Sequence, residues 1–256
     1  KDNYVYSIDD RKKLADEMDA LQKIGYAAAF CEKPNIPIQT VGAVKFPHQA
    51  QFHPLKFIAA IAKELNIYEH TFVREMIGKI AVTDHGTISA DRVIVTTHFP
   101  FINKHGSYFL KLYQHRSYVI ALENARDVGG MYVDESHTGM SFRNHGALLL
   151  LGGGGHRTGH KGGSWDELRD FAGKVYPNAS EAYHWAAQDC MSLDGIPYIG
   201  HYSKRTRNLY VASGFNKWGM TGAMTTAMLL SDMIIGKRND CAEAFNPSRS
   251  ILKPQL

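Results

Sequence analysis

Asn208-Leu-Tyr-Val-Ala-Ser-Gly-Phe-Asn-Lys-Trp-Gly-Met-Thr-Gly-Ala223 is the stretch from which the architecture of this chain can be read. Its first part, Leu209 to Ala212, is β-branched and aromatic and reads as a buried strand. The run breaks at Gly214 and re-enters at Gly219-Met-Thr-Gly-Ala223 into an apolar helix expected to reach Ile235. A strand that hands a glycine-rich loop to a helix N-terminus leaves unpaired N–H groups and the positive end of the helix dipole at one spot. Such a spot suits an anion or a developing negative charge. An ordinary strand–loop–helix connection would carry the same pattern, so the stretch needs its context.

That context lies just upstream, in Gln188-Asp-Cys-Met-Ser-Leu-Asp-Gly-Ile-Pro-Tyr-Ile-Gly200. Together the two stretches resemble the C-terminal flavin-capping segment of the D-amino-acid-oxidase-like (DAO) FAD-dependent oxidoreductases, a group that includes glycine oxidase, sarcosine oxidase and γ-glutamylputrescine oxidase. The resemblance implies an α+β fold of α/β descent: an antiparallel substrate-binding sheet with flanking helices, interleaved with the C-terminal part of an FAD-binding domain. It implies four segments. Residues 1–50 would begin the substrate-binding domain, and 51–100 would supply a helix and β-meander of the FAD domain. Residues 101–184 would return to the substrate sheet, and 185–256 would cap the FAD.

Composition sets the outer bounds. The chain has 256 residues, 44% of them hydrophobic and 21% charged, which suits a soluble globular protein with a real core. A net charge of +4 spread along the chain argues against a nucleic-acid partner. Cys31, Cys190 and Cys241 are far apart with no C-x-x-C pair, which argues against a disulfide framework or zinc site and for a reducing compartment. No apolar run reaches membrane-spanning length, since Ala223 to Ile235 is broken by Ser231 and Asp232. With no signal peptide at the start, the expected location is cytoplasmic, away from any membrane. Lys1-Asp-Asn-Tyr-Val-Tyr-Ser opens in mid-strand without an initiator Met, so the chain is expected to be a piece of a longer protein.

Along the chain, Tyr4 to Ser7 predicts a strand, and Ser7-Ile-Asp-Asp10 caps a helix from Arg11 to Ile24 with Leu14, Met18 and Leu21 on one face. Gly25 ends it. Thr40 to Phe46 predicts another strand. Gln49 to Leu65 predicts an amphipathic helix, with Pro54 in its first turn and Leu55, Ile58, Ile61 and Leu65 on its apolar face. The period then becomes strand-like: Ile67 to Glu69, Val73 to Val82, Gly86-Thr-Ile-Ser89 carrying a turn into a third strand, and the β-branched run Arg92 to Thr96. Tyr108 to Leu122, Met131 to Asp134, Met140 to Arg143 and Ala147 to Leu151 predict four antiparallel strands. Ser164 and Glu167 form a capping box for a helix to Val175, and Tyr183 to Cys190 returns to strand.

Leu148-Leu-Leu-Leu-Gly-Gly-Gly-Gly-His-Arg-Thr-Gly159 invites a nucleotide-binding reading that its spacing does not support. A G-x-G-x-x-G frame would end on Arg157 or Thr158 with no helix after it, and a P-loop frame puts His160 where Lys is required. The four glycines read instead as a tight loop or as letting the backbone pass close to a flavin or substrate. Nowhere does the chain carry the G-x-G-x-x-G unit that holds the FAD pyrophosphate in the resembled family. The missing N-terminal FAD-binding region of its own chain is therefore an expected partner. An apolar face left bare by that absence leaves room for self-association into a homo-oligomer.

The resemblance also implies roles. Val73 would touch the adenine through its backbone, and Thr96 and Thr97 would lie near the pyrophosphate. Gly214, Phe215, Asn216, Trp218, Gly219, Met220 and Thr221 would line the flavin. Lys217 would be the catalytic cation beside it, unless it is a solvated surface lysine. Phe215 and Trp218 could equally be aromatic core. Tyr118, Arg143 and Asp189 are the candidate contacts to a small-molecule amine or amino-acid substrate. An Arg fork matches a carboxylate, with a surface arginine as the alternative. The acid at Asp189 stands where glycine-oxidase-like members place an arginine, and either favours an amine or polyamine or caps the loop structurally. FAD is the expected cofactor of the full-length protein, with hydride transfer to flavin N5. No metal is expected: His156 and His160 lie in the glycine run, and His137 and His145 have no carboxylate partner in register. Two readings stay open on sequence: an FAD-dependent amine or amino-acid oxidoreductase, and a non-catalytic module that keeps the fold and captures a small ligand or partner.

Overall fold

The computed structural model describes residues 1–102, 105–136 and 139–250. The chain divides into two compact units, residues 1–64 with 116–187 and residues 65–115 with 188–256. The first unit opens with β1 (Asn3–Ser7), α1 (Arg11–Lys23), β2 (Ala29–Cys31), β3 (Gly42–Phe46) and α2 (Pro54–Ala62). Asp10 caps α1 by accepting from the Lys13 N–H at 2.9 Å, and Gly25 leaves it at φ +72°. Its buried Leu14 and Leu21 pack on Val44 of β3. α2 is shorter than its periodicity predicts. Pro54 fixes its start, His53 Nδ1 accepts from the Lys56 N–H, and no residue of it is buried.

The second unit begins with β4 (Val73–Ile77), β5 (Ile80–Thr83), β6 (Gly86–Ser89) and β7 (Val93–Val95). β4, β5 and β6 form an antiparallel meander. Ile67 to Glu69, expected as a strand, is not one. The predicted strand Val73 to Val82 is a hairpin, because Gly78 takes φ +62° and turns the chain.

After a 3-10 turn at Tyr108–Leu110 come β8 (Leu112–Glu123), β9 (Met131–Asp134), β10 (Ser141–His145), β11 (Leu148–Arg157), α3 (Ser164–Val175) and β12 (Ser180–Ser192). An eight-stranded sheet runs β12-β8-β11-β10-β9-β1-β3-β2. It is mixed: β9 pairs parallel to β1, while β10 is antiparallel to both β9 and β11 and β3 to both β1 and β2. Side chains alternate between its faces. Tyr6, Tyr118, Phe142, Leu149 and Leu151 share one core cluster with Leu168 and Ala172 of α3. The register places Val5 opposite Val44 and Val133, so α1 packs on the other face.

Two sequence readings are corrected here. Gly152 to Gly155 do not form a loop; they lie inside β11. A Cβ on Gly153 would stand 2.9 Å from Leu168 Cδ2, and one on Gly154 only 2.2 Å from the Ser164 carbonyl oxygen. The glycines let α3 lie against the strand. The capping box is also absent. Gly163 is the N-cap with no side-chain bond, and Ser164 takes φ +55°, its Oγ reaching the Asp166 N–H at 3.5 Å.

The chain ends with β13 (Tyr198–His201), β14 (Leu209–Ser213) and α4 (Gly219–Ile234). Every residue of β14 is buried. It pairs antiparallel to β13 and parallel to β7, and Tyr108, Tyr198 and Tyr202 pack around Val95 and Val211 in one core cluster. Among the described residues no helix is long and apolar enough to cross a membrane.

Candidate functional site

The two parallel strands β7 and β14, with Val95 opposite Val211, release their chains at the same end of the small sheet. Ligands of open α/β sheets sit outside such carboxyl ends. Ser213 Oγ donates to the His98 carbonyl and ties the two exits together. Thr96, Thr97 and Gly214 are thereby gathered at one edge. The Thr97 hydroxyl donates to the Phe99 carbonyl at 3.0 Å, holding the turn that follows β7.

From Gly214 the chain needs two left-handed residues to enter α4. Gly214 itself takes φ +73° and Asn216 φ +54°. Asn216 tolerates this because its amide is engaged on all sides: Oδ1 accepts from the Ser192 N–H at 3.1 Å and Nδ2 donates to the Gly195 carbonyl at 2.9 Å. Its backbone N–H donates to the Cys190 carbonyl. Phe215 bridges to Met191, and its ring lies where a Cβ on Gly222 would be, so both aromatic and helix are seated by glycine. Trp218 is the N-cap of α4 and supplies no side-chain acceptor, while the Gly222 N–H closes the first turn on the Trp218 carbonyl. The N–H groups of Gly219, Met220 and Thr221 face the end of the helix, where the dipole is positive. A Cβ on Gly219 would meet nothing within 4 Å.

Lys217 and Asp189 sit beside this turn. Burial of the ammonium lowers the Lys217 pKa, and attraction by Asp189 opposes that shift. The side-chain surface of Lys217 is nevertheless exposed, so solvent moderates both effects. A small apolar cleft of about 190 Å³ opens alongside, lined by Pro197, Ile199, Phe215, Trp218, Thr221 and Phe245. That is below the roughly 300–1,000 Å³ of a typical cofactor pocket, so the cleft alone does not enclose one.

The remaining expected residues lie elsewhere. Val73 starts β4, and the meander residue that packs with Val95 is Met76. Tyr118 is 7% exposed and lies under α3, edge-on to Trp165, with its hydroxyl 2.9 Å from His156 Nε2. Arg143 is on the opposite face of the sheet, across from Met131 and Leu150. The structure therefore does not bring Tyr118 and Arg143 together. No described residue hydrogen-bonds or ion-pairs with the Arg143 guanidinium, and partial burial lowers its pKa from the ordinary arginine value. It remains a cation at physiological pH.

Sequence reading missed one feature of this region. Asp194 and Arg249 form a bidentate pair at 2.7 and 2.8 Å, their side chains 11% and 10% exposed. Burial alone would raise the Asp194 carboxyl, but Arg249 and the Ile196 N–H more than offset it and hold it below the ordinary carboxylate range. No local signal could reveal a pair separated by 55 positions. Among the described residues no group of three or more His, Cys, Asp and Glu could hold a metal ion; His137 lies outside the described residues.

Comparison with known proteins gives the family and the fold. A protein of Bacillus subtilis (strain 168) that bears the name of a Rieske 2Fe-2S iron–sulfur protein, YhfW, is 31% identical over 275 aligned positions, covering 100% of this chain and 54% of that protein. A D-amino acid dehydrogenase of Rhizorhabdus wittichii is 28% identical over 168 positions, covering 61% of this chain and 40% of that protein. The chain thus spans about half the length of the curated relatives it matches. Glycine oxidase from Geobacillus kaustophilus superposes with a TM-score of 0.79 at 19% identity, covering 98% of this chain and 75% of that one. L-proline dehydrogenase from P. horikoshii does so with a TM-score of 0.80 at 17% identity, covering 97% and 76%. These two share the fold. The FAD dependent oxidoreductase (DAO) family pattern matches residues 3–233, and the chain belongs to that family.

Proposed function

We propose that this chain is the substrate-sheet and flavin-edge part of an FAD-dependent oxidoreductase that oxidises a C–N bond of an amine or amino acid. The observation that carries the proposal is the uncapped N-terminus of α4 beside the paired exits of β7 and β14. Outward N–H groups, a nearby lysine and open space at Gly219 fit the anionic edge of a flavin. FAD, when bound, would accept a hydride at N5 from the carbon beside the amine, and that reduction builds negative charge at the N1–C2=O edge. Gly219, Met220 and Thr221 would present their N–H groups to that edge, and Lys217 would add a fixed positive charge. Thr96 and Thr97 would line the β7 exit toward the pyrophosphate, with Val73 at the adenine. Phe215 and Asn216 would act from beneath, by holding the helix entry, and Trp218 would flank the ring.

Arg143 is the residue we assign to a substrate carboxylate, because it is a cation with no described partner on a face carrying Met131 and Leu150. Tyr118 would shape the sheet from behind. Asp189 attracts Lys217, so it serves as counter-charge as well as the candidate contact for a substrate amine. The Rhizorhabdus relative and the two structurally similar proteins named above act, by name, on amino acids, which supports this substrate class. The Bacillus relative is by name an iron–sulfur protein, which extends the proposal to a 2Fe-2S centre elsewhere in a longer protein.

The residues of this chain fit the flavin edge and supply no G-x-G-x-x-G turn for the pyrophosphate. That half of the cofactor would be held by an N-terminal unit of the same polypeptide. The exposed apolar side chains of α2, among them Leu55, Ile58 and Ile61, together with Met220, Met224 and Met228 of α4, would be covered by it. An absorbance spectrum of the full-length protein, then anaerobic addition of amines and amino acids, tests the assignment. Bleaching of a flavin band by one substrate class supports it; a protein that stays colourless after reconstitution with FAD sinks it and promotes a binding module.

Lys217 offers a finer test with opposite signs. Its folded pKa is below its unfolded value, so the charged lysine opposes folding at neutral pH; the penalty starts to shrink as pH rises through the folded pKa and is gone above the unfolded one. Lys217→Met is expected to raise Tm by about 1–2 °C at pH 7, a small gain because solvent screens an exposed group. The gain should shrink toward pH 10. The same variant should lower the flavin midpoint potential by about 20–40 mV, the two-electron equivalent of losing 1–2 kcal/mol at the reduced ring. Potentiometry on the holoprotein reads it, and an unchanged potential would remove Lys217 from the site.

A further inference from the structure

We infer that Arg249, 33 positions beyond Asn216, is a positioning residue for the α4 socket, and that the C-terminal segment Phe245–Arg249 acts as a strap that sets the shape of the flavin edge. The inference rests on the flavin reading above for its consequence, but not for its geometry.

The path is continuous. Arg249 forks onto the Asp194 carboxylate and also donates to the carbonyls of Ile196 at 2.6 Å, Pro197 at 3.1 Å and Asn246 at 3.3 Å. One guanidinium thus satisfies a carboxylate and three backbone acceptors, with its Cζ 3.9 Å from the Tyr198 ring centroid. Only a planar, five-donor group can do this, so lysine is no substitute. Asp194 in turn accepts from the Ile196 N–H, which fixes the turn Ser192-Leu-Asp-Gly-Ile-Pro197. That turn is the one Asn216 grips, through the Ser192 N–H and the Gly195 carbonyl. Asn216 is the last left-handed residue before α4.

The strap is itself tied down. Lys111 Nζ donates to the Pro247 carbonyl at 2.9 Å, the Ile199 N–H donates to the Phe245 carbonyl, and Pro247 lies 3.1 Å from where a Cβ on Gly200 would be. Pulling Arg249 out leaves Asp194 as a buried carboxylate without its counter-ion, and such a group drags its surroundings toward water. The turn it belongs to is then free to move, and Asn216 loses the acceptor and donor that hold it at positive φ. The first turn of α4 would be competent only part of the time, and apparent ligand affinity falls by that fraction.

The test uses the full-length protein with Arg249→Ala, Arg249→Lys and Asp194→Asn. Hydrogen exchange is followed over residues 192–197 and 214–222, and FAD affinity is measured by fluorescence titration well below each Tm. Arg249→Ala should strip protection from 214–222 while the buried strands β13 and β14 keep theirs, and should weaken FAD binding roughly tenfold if the socket is formed a tenth of the time. Arg249→Lys should recover only part of both. Should Arg249→Ala fail to fold, Asp194→Asn, which keeps the side-chain shape, decides the matter through the same two readouts. A lowered Tm with unchanged exchange at 214–222 would overturn the inference and leave Arg249 as a staple of the chain end. If the unsubstituted protein takes up no FAD, the flavin reading fails by itself, and the exchange data alone judge whether Arg249 shapes the socket.

Discussion

Gly154→Ala is expected to destabilise the chain by about 3–5 kcal/mol. Two costs add. Gly154 takes φ +60°, a conformation that charges any L side chain on the order of 1–2 kcal/mol. The added Cβ would also stand 2.2 Å from the Ser164 carbonyl oxygen and 3.0 Å from its carbonyl carbon and nitrogen. These are backbone atoms at the start of α3, so relief requires the helix to leave β11, and with it the contacts of Leu168 and Ala172 to the core of the large sheet. Gly173→Ala is the control. Gly173 lies inside α3, a Cβ there meets nothing within 4 Å, and the change should stabilise by about 0.5–1 kcal/mol through helix propensity. Urea unfolding of both variants reads the contrast. A loss below about 1 kcal/mol for Gly154→Ala would mean that α3 does not lie against the strand as described.

Arg143→Leu is expected to raise KM for carboxylate-bearing substrates about 100-fold in the full-length enzyme, from loss of a two-pronged charged hydrogen bond worth about 3 kcal/mol. Amines that carry no carboxylate should be unaffected, and FAD affinity should not change. Stability should hold, because Arg143 is an exposed residue with no described partner to lose, and solvent screens the cost of its charge. Steady-state kinetics on matched pairs, an amino acid and the corresponding amine, separate the outcomes. Equal losses on both members of the pair would show that Arg143 supports the sheet and does not grip a carboxylate.

Much of the architecture was legible along the chain because it is written in short-range periodicity. Leu209 to Ala212 reads as a buried strand from four consecutive residues, and β14 forms there with every residue buried. Met131 to Asp134 reads as a strand and is β9. Leu14 and Leu21, two turns apart, face the core as the helical repeat of α1 demands. The break at Gly214 was legible for a similar reason, since glycine reports a local need for positive φ, whereas the left-handed Asn216 was not read.

What sequence could not determine depends on which element lies opposite. Gly152 to Gly155 carry the composition of a loop, yet they are strand, because what a glycine permits here is the approach of α3 from another part of the chain. The apolar face of α2 reads as a core face, yet none of its residues is buried, since periodicity marks a surface that seeks a partner without supplying one. Tyr118 and Arg143 both read as sheet residues, but only strand register puts them on opposite faces, where a slip of one residue would have exchanged them. The Asp194–Arg249 pair, like the tie from Ser213 to the His98 carbonyl at the exits of β14 and β7, joins residues far apart in sequence. Local propensity determined the elements; tertiary pairing alone decided which of their side chains stand together, because contact between distant residues is settled by packing and register and leaves no mark on the neighbours of either.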